Sequence, residues 1–250
     1  AYLRSVMSCY LPYHMVFVFL MIDDMRHLLP VVFCLFMGGG VFTALPSAAA
    51  TASSDPLFAT ALQKAPPTLM QLHQTLKAHS VTRAGFKQTK ILQGRTRPLI
   101  SSGQVLLSAQ HGALWQVRKP YASDVVLTPR GGWQRVGTGV WQTLNMGGGG
   151  GFNQLTTALL TADIVALQQQ FHVFWQYDTN RWRLGLTPKA AAMQMYIQHI
   201  VVQGSSTGAH DIEQIELLEK NQDSSVIVLR QVAHQPNVSV DELAWFKNRP

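Results

Sequence analysis

The feature that most constrains this chain is a two-residue alternation of apolar and polar side chains that recurs from Arg83 to Val232. Ala84, Phe86 and Gln88 alternate with Gly85, Lys87 and Thr89; Val105, Leu107 and Ala109 with Gln104, Leu106 and Ser108; Trp115 and Val117 with Gln116 and Arg118. Successive side chains of a strand point to opposite faces, so this period predicts strands. Further strands are predicted at 123–128, 171–177, 182–186, 193–203, 211–218 and 226–232. The 211–218 stretch also suits a helix through Ile212, Ile215 and Leu218. Turn chemistry separates the runs: Gln110-His111-Gly112, Pro120, Arg130-Gly131-Gly132, Asp178-Thr179-Asn180, 204–208 and 221–224.

The period lengthens in two places. Asp55 is placed to cap a helix starting at Pro56, and beyond Pro66-Pro67 the residues Leu69, Leu72 and Leu76 repeat at helical spacing. A central interlude follows the glycine run 147–151, with Leu155, Leu159 and Leu160, then Asp163 as a cap before Ile164 and Leu167. About ten strands with so few helices predict an α+β, mainly β fold: a single curved antiparallel sheet, an unclosed β-barrel, with helices covering its concave face.

The first 50 residues carry a different signal. Met25, Arg26 and His27 precede an apolar run from Leu28 to Leu45 and then Pro46, Ser47 and Ala48-Ala49-Ala50, the order of a secretory signal peptide. We read 25–50 as that peptide, 1–24 as an overrun upstream of a start at Met25, and 51–250 as one exported domain in the periplasm. Both cysteines, Cys9 and Cys34, fall in the discarded part, so the mature domain holds no disulfide or thiolate site and rests on its core. Processing removes two basic and two acidic residues and leaves the net charge of +7 unchanged. A basic surface suits anionic lipid headgroups or acidic partners.

Enzymatic chemistry has no visible seat. The spacings His-Glu-x-x-His and Cys-x-x-Cys are absent, the Gly-x-Ser-x-Gly letters of Gly204-Ser205-Ser206-Thr207-Gly208 fall in a turn linking two predicted strands rather than ahead of a helix, and the mature histidines scatter from His73 to His234. No catalytic residue, metal ligand or cofactor is therefore expected. Glu213, Glu216 and Glu219 read as a solvated face, and 147–151 as a linker, since no Lys-Ser/Thr pair follows. Arginines near Trp115, Trp133 and Trp141 resemble a nucleic-acid surface, but export argues against that partner. Strands apolar on both faces, such as Ile200-Val201-Val202 and Val226-Ile227-Val228-Leu229, are either buried by helices or line a ligand cavity.

The chain resembles the periplasmic lipoprotein carriers of the LolA type. The resemblance lies in Phe86-x-Gln88-x-Lys90, Ser102-Gly103, Leu114-Trp115, Pro120, residues 159–171 with Asp163, and Trp182-x-Leu184-x-Leu186-x-Pro188, in that order, within about 56–235. It implies a LolA-like lipid-carrier domain whose helices form a lid over an apolar cavity for acyl chains. The cargo it implies is a lipoprotein, a glycolipid or another acyl-linked product, taken by a monomer from an inner-membrane transporter and delivered to an outer-membrane acceptor. Val105, Leu107, Trp115, Val117, Met193, Met195 and Ile197 are the expected wall, and Leu155 and Leu159 the expected lid. One departure stands out: Ala109 occupies the place, six residues after Gly103, where these carriers hold their lid with an arginine. A periplasmic interaction or assembly module without a lipid ligand is the alternative. A hydrolase built from His172, His199 or His210 with a serine is a third reading.

Overall fold

The computed structural model describes residues 55–144, 158, 163–209 and 211–247; the signal-peptide reading and both lid residues, Leu155 and Leu159, lie outside them. Chain order runs from a 3₁₀ turn (Pro56–Phe58) and α1 (Pro67–Ala78) into β1 (Val81–Ile91), β2 (Leu99–Ser108), β3 (Gly112–Lys119), β4 (Ser123–Thr128), β5 (Gly131–Val136) and β6 (Gln142–Thr143). It continues through α2 (Ile164–Gln170), β7 (Phe171–Tyr177), β8 (Arg181–Pro188), α3 (Ala191–Gln194), β9 (Ile197–Ser205), β10 (Ile212–Glu219), β11 (Ser224–Gln235) and α4 (Val240–Phe246). Among the described residues the strands form one unclosed antiparallel sheet of eleven, ordered β6-β5-β4-β3-β2-β1-β11-β10-β9-β8-β7. The expected mainly β architecture is thus the observed one.

Register sorts the side chains. Ala84, Val105, Trp115 and Val125 stand opposite one another across β1 to β4, and Leu106, Leu114 and Val126, one residue along, share the other face. Because the side-chain period is two, this single offset separates two cores. The larger core lies on the concave face, where Leu69, Leu72 and Leu76 of α1 and Ile164 and Leu167 of α2 meet Phe86, Val105, Leu184, Leu186, Ile200, Val202, Ile215 and Ile227. Asp163 caps α2 by accepting from the Ala166 N–H, as its position predicted, and Asp55 accepts from Leu57 N–H at the opening turn.

The helices do not all lie on that face. The 3₁₀ turn sets Leu57 against Phe174 and Val201, while α4 sets Phe246 against Val81, Leu106, Leu114 and Val126, both on the convex side. Helix α4 was missed in the sequence although its signal is there: Ser239 and Glu242 form a reciprocal capping box. Strands β5 and β6 were missed because Gly131-Gly132 reads as a turn.

The predicted strand 193–203 is also corrected. Residues Ala191–Gln194 form α3, and the strand begins at Ile197. The run Ala190-Ala191-Ala192 favours helix, and the Met193 and Gln194 amides bond to the Ala190 carbonyl while the Gln194 side chain donates to Pro188 O. The ambiguous 211–218 stretch is a strand, paired on both sides by β9 and β11.

Two predictions arise from these contacts. Arg83 of β1 forks onto the Glu242 carboxylate, with Nε to Oε1 at 2.7 Å, and tethers α4 to the sheet. That guanidinium, aided by the Ser239 N–H, holds the Glu242 carboxyl down from the usual 4.5 to about 2. A lowered carboxyl pKa stabilises the fold above about 4.5, and the contribution fades as the pH falls toward 2. Replacing Glu242 by Gln should cost about 1 kcal/mol or less at pH 7, as for a largely solvated pair. In urea titrations the variant and parent midpoints should converge near the acid limit.

Gly103 carries the second. A Cβ there would lie 1.8 Å from the Gln116 carbonyl oxygen, so only glycine permits β2 and β3 to approach this closely beside the irregular pairing at Ser102 and Gly103. Gly103→Ala should displace that pairing and lower stability by about 1–3 kcal/mol, read as a lower urea midpoint.

Candidate functional site

The concave face is the candidate site, and its two ends differ. Toward β7 to β9 it is sealed: Trp182, Leu184, Leu186, Phe171 and Val173 are buried, with Trp182 fully so at 0% exposure. Trp175 stacks beside Trp182 at 6.1 Å and donates its indole N–H to the Thr68 hydroxyl of α1 at 3.1 Å, which ties that helix to the edge strand. Toward β2 and β3 the apolar surface stays partly open. Leu107, Trp115 and Val117 pack against the core yet remain half-buried, and Trp115 leans on Phe86 with ring centroids 4.7 Å apart.

The predicted wall residues therefore fall into three groups. Val105, Met193 and Ile197 are buried within the concave core. Leu107, Trp115 and Val117 form the half-open part beside it. Met195 stands apart, 65% exposed at the end of α3, because the helix turns it away from the strand alternation that nominated it. The residues that cover the face among those described are Leu69, Leu72 and Leu76 of α1 and Ile164 and Leu167 of α2. Their helical spacing was legible in the sequence, but their pairing with the sheet was not.

Polar groups punctuate the face at its other end. Gln88 and Lys90 continue the Phe86 side of β1 and are buried, with the Lys90 ammonium donating to Glu219 at 2.8 Å. Ser225 stands opposite Lys90 and is buried as well. Gln88 accepts from the Ser101 hydroxyl at 3.4 Å. An apolar chain laid along the face from Leu107 would thus run from a half-open apolar end toward a buried charged pair.

The convex side carries different chemistry. Asp124 is buried between Arg118 and Arg135, whose guanidinium also lies 4.7 Å above the Trp141 ring. An open groove of about 560 Å³, lined by Gly85, Phe86, Lys87, Gly103, Arg230 and Gln231, includes none of the predicted wall residues. His199 packs against Phe58 at 4.7 Å, and burial pushes its imidazole below the usual value against the pull of Glu216 and Asp55. His172 is exposed on β7, and His210 lies outside the described residues. Asp55, held low chiefly by its Arg183 hydrogen bonds, fastens the 3₁₀ turn to β8.

No protein-family profile matches the chain, and no curated protein sequence does. Among solved structures it is similar to a LolA superfamily protein from Nitrosomonas europaea, at 10% identity over 73% of this chain and 99% of that one, with a TM-score of 0.40. It is similar also to lipoprotein LppX of Mycobacterium tuberculosis, at 10% identity over 70% and 100% with a TM-score of 0.39. A third is LprF of Mycobacterium bovis, at 13% identity over 70% and 96% with a TM-score of 0.31. At such identities the chemistry of the site follows from this chain's own residues.

Proposed function

We propose that this protein is a noncatalytic carrier that receives acyl chains on its concave face and moves them between membranes in the periplasm. The observation that carries the reading is the unsealed apolar wall: Leu107, Trp115 and Val117 are half-buried and continuous with a buried apolar core beneath two short helices. Exposed apolar surface on a protein costs free energy unless a ligand covers it. The cargo class is a lipoprotein, glycolipid or other acyl-linked molecule, with an inner-membrane transporter as donor and an outer-membrane acceptor.

Energetics bound the mechanism. Burying a chain of about 16 carbons at roughly 0.8 kcal/mol per methylene would supply up to about 12 kcal/mol before ordering costs. A carrier has to release what it binds, so part of the chain should stay uncovered or the covering helices should lift at modest cost. Ala109 leaves no arginine latch at the place where the resembled carriers have one. Lid closure then depends on the apolar contacts of α1 and α2 together with the Trp175–Thr68 hydrogen bond, or on a different latch.

Trp115 provides the test. An acyl chain brominated near its middle should quench tryptophan emission on binding, and Trp115→Phe should remove most of that quenching while uptake of a fluorescent fatty acid persists. Quenching that is unchanged in the variant would place the ligand elsewhere. Absence of any uptake by the folded parent protein would favour the protein-interaction module.

A further inference from the structure

His79, Asp211 and His234 are dispersed in sequence, and the topology brings them together. His79 is the residue at the C-terminal end of α1, Asp211 directly precedes β10, and His234 lies near the end of β11 opposite Thr82. One ligating atom from each falls within 4.8 Å of the others, and all three side chains are partly accessible. The geometry points to a binding site for a late first-row divalent cation, with Zn²⁺ as the type, built from two imidazoles and one carboxylate.

Three details argue for a ligand. The His79 Nε2 is buried with no hydrogen-bond partner among the described residues, a state that is costly for a polar atom and is relieved by a metal. The His234 ring is oriented on both sides, with Nδ1 3.0 Å from the Thr82 hydroxyl and Nε2 2.6 Å from Asp211 Oδ1. At that distance from a carboxylate Nε2–H donates to Asp211; a cation takes the place of this proton, and Nδ1–H then donates to the Thr82 hydroxyl, which is how second partners commonly orient metal-binding histidines. The third detail is a fixed backbone: Gly204 lacks a Cβ, which would lie 1.9 Å from the Asp211 carbonyl oxygen, so β9 holds Asp211 close.

Donor chemistry selects the ion. Two imidazole nitrogens and one carboxylate suit Zn²⁺, Cu²⁺ or Ni²⁺, whereas Ca²⁺ and Mg²⁺ require oxygen-rich shells. The His79 and His234 rings are stacked at 3.5 Å and 9°. A metal lies near the plane of each imidazole that binds it, so loading turns His79 out of the stack and brings the ligand atoms to about 3.3 Å apart, as tetrahedral Zn²⁺ requires. Three protein ligands leave a fourth position for water or another group. No local spacing in the sequence encodes this cluster.

The position gives the cation a mechanical role. Thr82 faces His234 on one side and Leu107 on the other, so the cluster borders the half-open end of the concave face and would pin the end of α1 to the sheet. The cation site stands whether or not that face takes acyl chains.

Titration of the chelator-treated chain with Zn²⁺ alone, followed by isothermal calorimetry, tests it. One equivalent should bind with micromolar or tighter affinity and raise the thermal midpoint. His79→Gln, His234→Gln and Asp211→Asn should each weaken binding at least tenfold, while His111→Gln should not. Far-UV dichroism establishes that each variant is folded. Co²⁺ bound to the parent should show the d–d absorption of a low-coordinate nitrogen and oxygen site, which a merely structural cluster would not produce. Failure of the folded parent to bind Zn²⁺ overturns the assignment, as does binding that any one of the three substitutions leaves unchanged.

Discussion

Leu107→Glu is expected to abolish acyl uptake while leaving the protein folded. Leu107 sits on β2 between Thr82 of β1 and Ala113 of β3, on the concave face, and is only half-buried. A glutamate there can keep its carboxylate in water in the empty protein, so the fold survives. With a hydrocarbon chain laid against the wall, the same carboxylate would lose solvent without gaining a partner, at a cost of several kcal/mol. A penalty of about 2.8 kcal/mol is already a hundredfold in Kd, so fluorescent fatty acid binding should fall by at least that factor. Leu107→Met, which preserves volume and polarity, should bind normally. Normal uptake by a folded Leu107→Glu protein would move the ligand off this wall.

The largest stability effect is expected at Trp182. It is the largest fully buried side chain among the described residues, stacked on Trp175 and lying against the bare backbone of Gly204, where an added Cβ would come within 2.8 Å of its ring. Trp182→Ala removes all of that packing and should cost about 3–5 kcal/mol, a large share of the 5–15 kcal/mol that holds a domain together. The indole N–H has no hydrogen-bond partner among the described residues. Trp182→Phe therefore forfeits volume and no hydrogen bond, and should cost markedly less. Urea unfolding of the two variants checks this ordering, and equal losses would show that the indole nitrogen contributes an interaction of its own.

What could be read from the sequence tracks what is local in the chain. Alternation at Ala84 to Thr89 and at Trp115 to Arg118 encodes strands because each residue's face is fixed by its neighbours, and Leu69, Leu72 and Leu76 encode α1 by the same logic with a longer period. Alternation misleads where two periods fit, as at Met193, Met195 and Ile197: the spacing fits a strand, but local helix preference and the Ala190 carbonyl bonds make a turn of helix. The capping box at Ser239 and Glu242 was also local and was passed over. The convex cluster around Phe246 depends on register between distant strands, and the His79, Asp211 and His234 cluster depends on three elements far apart in the chain. Such features follow from pairing, which one sequence does not display.

A carrier of this kind holds an acyl chain on its concave face. Native mass spectrometry of the protein purified from its own cells without detergent, with organic extraction of whatever is released, provides the test. The expected result is a stoichiometric acylated species whose mass names the cargo and whose yield collapses in Leu107→Glu. A clean mass for the bare chain, together with no uptake of fluorescent fatty acid, would contradict the account.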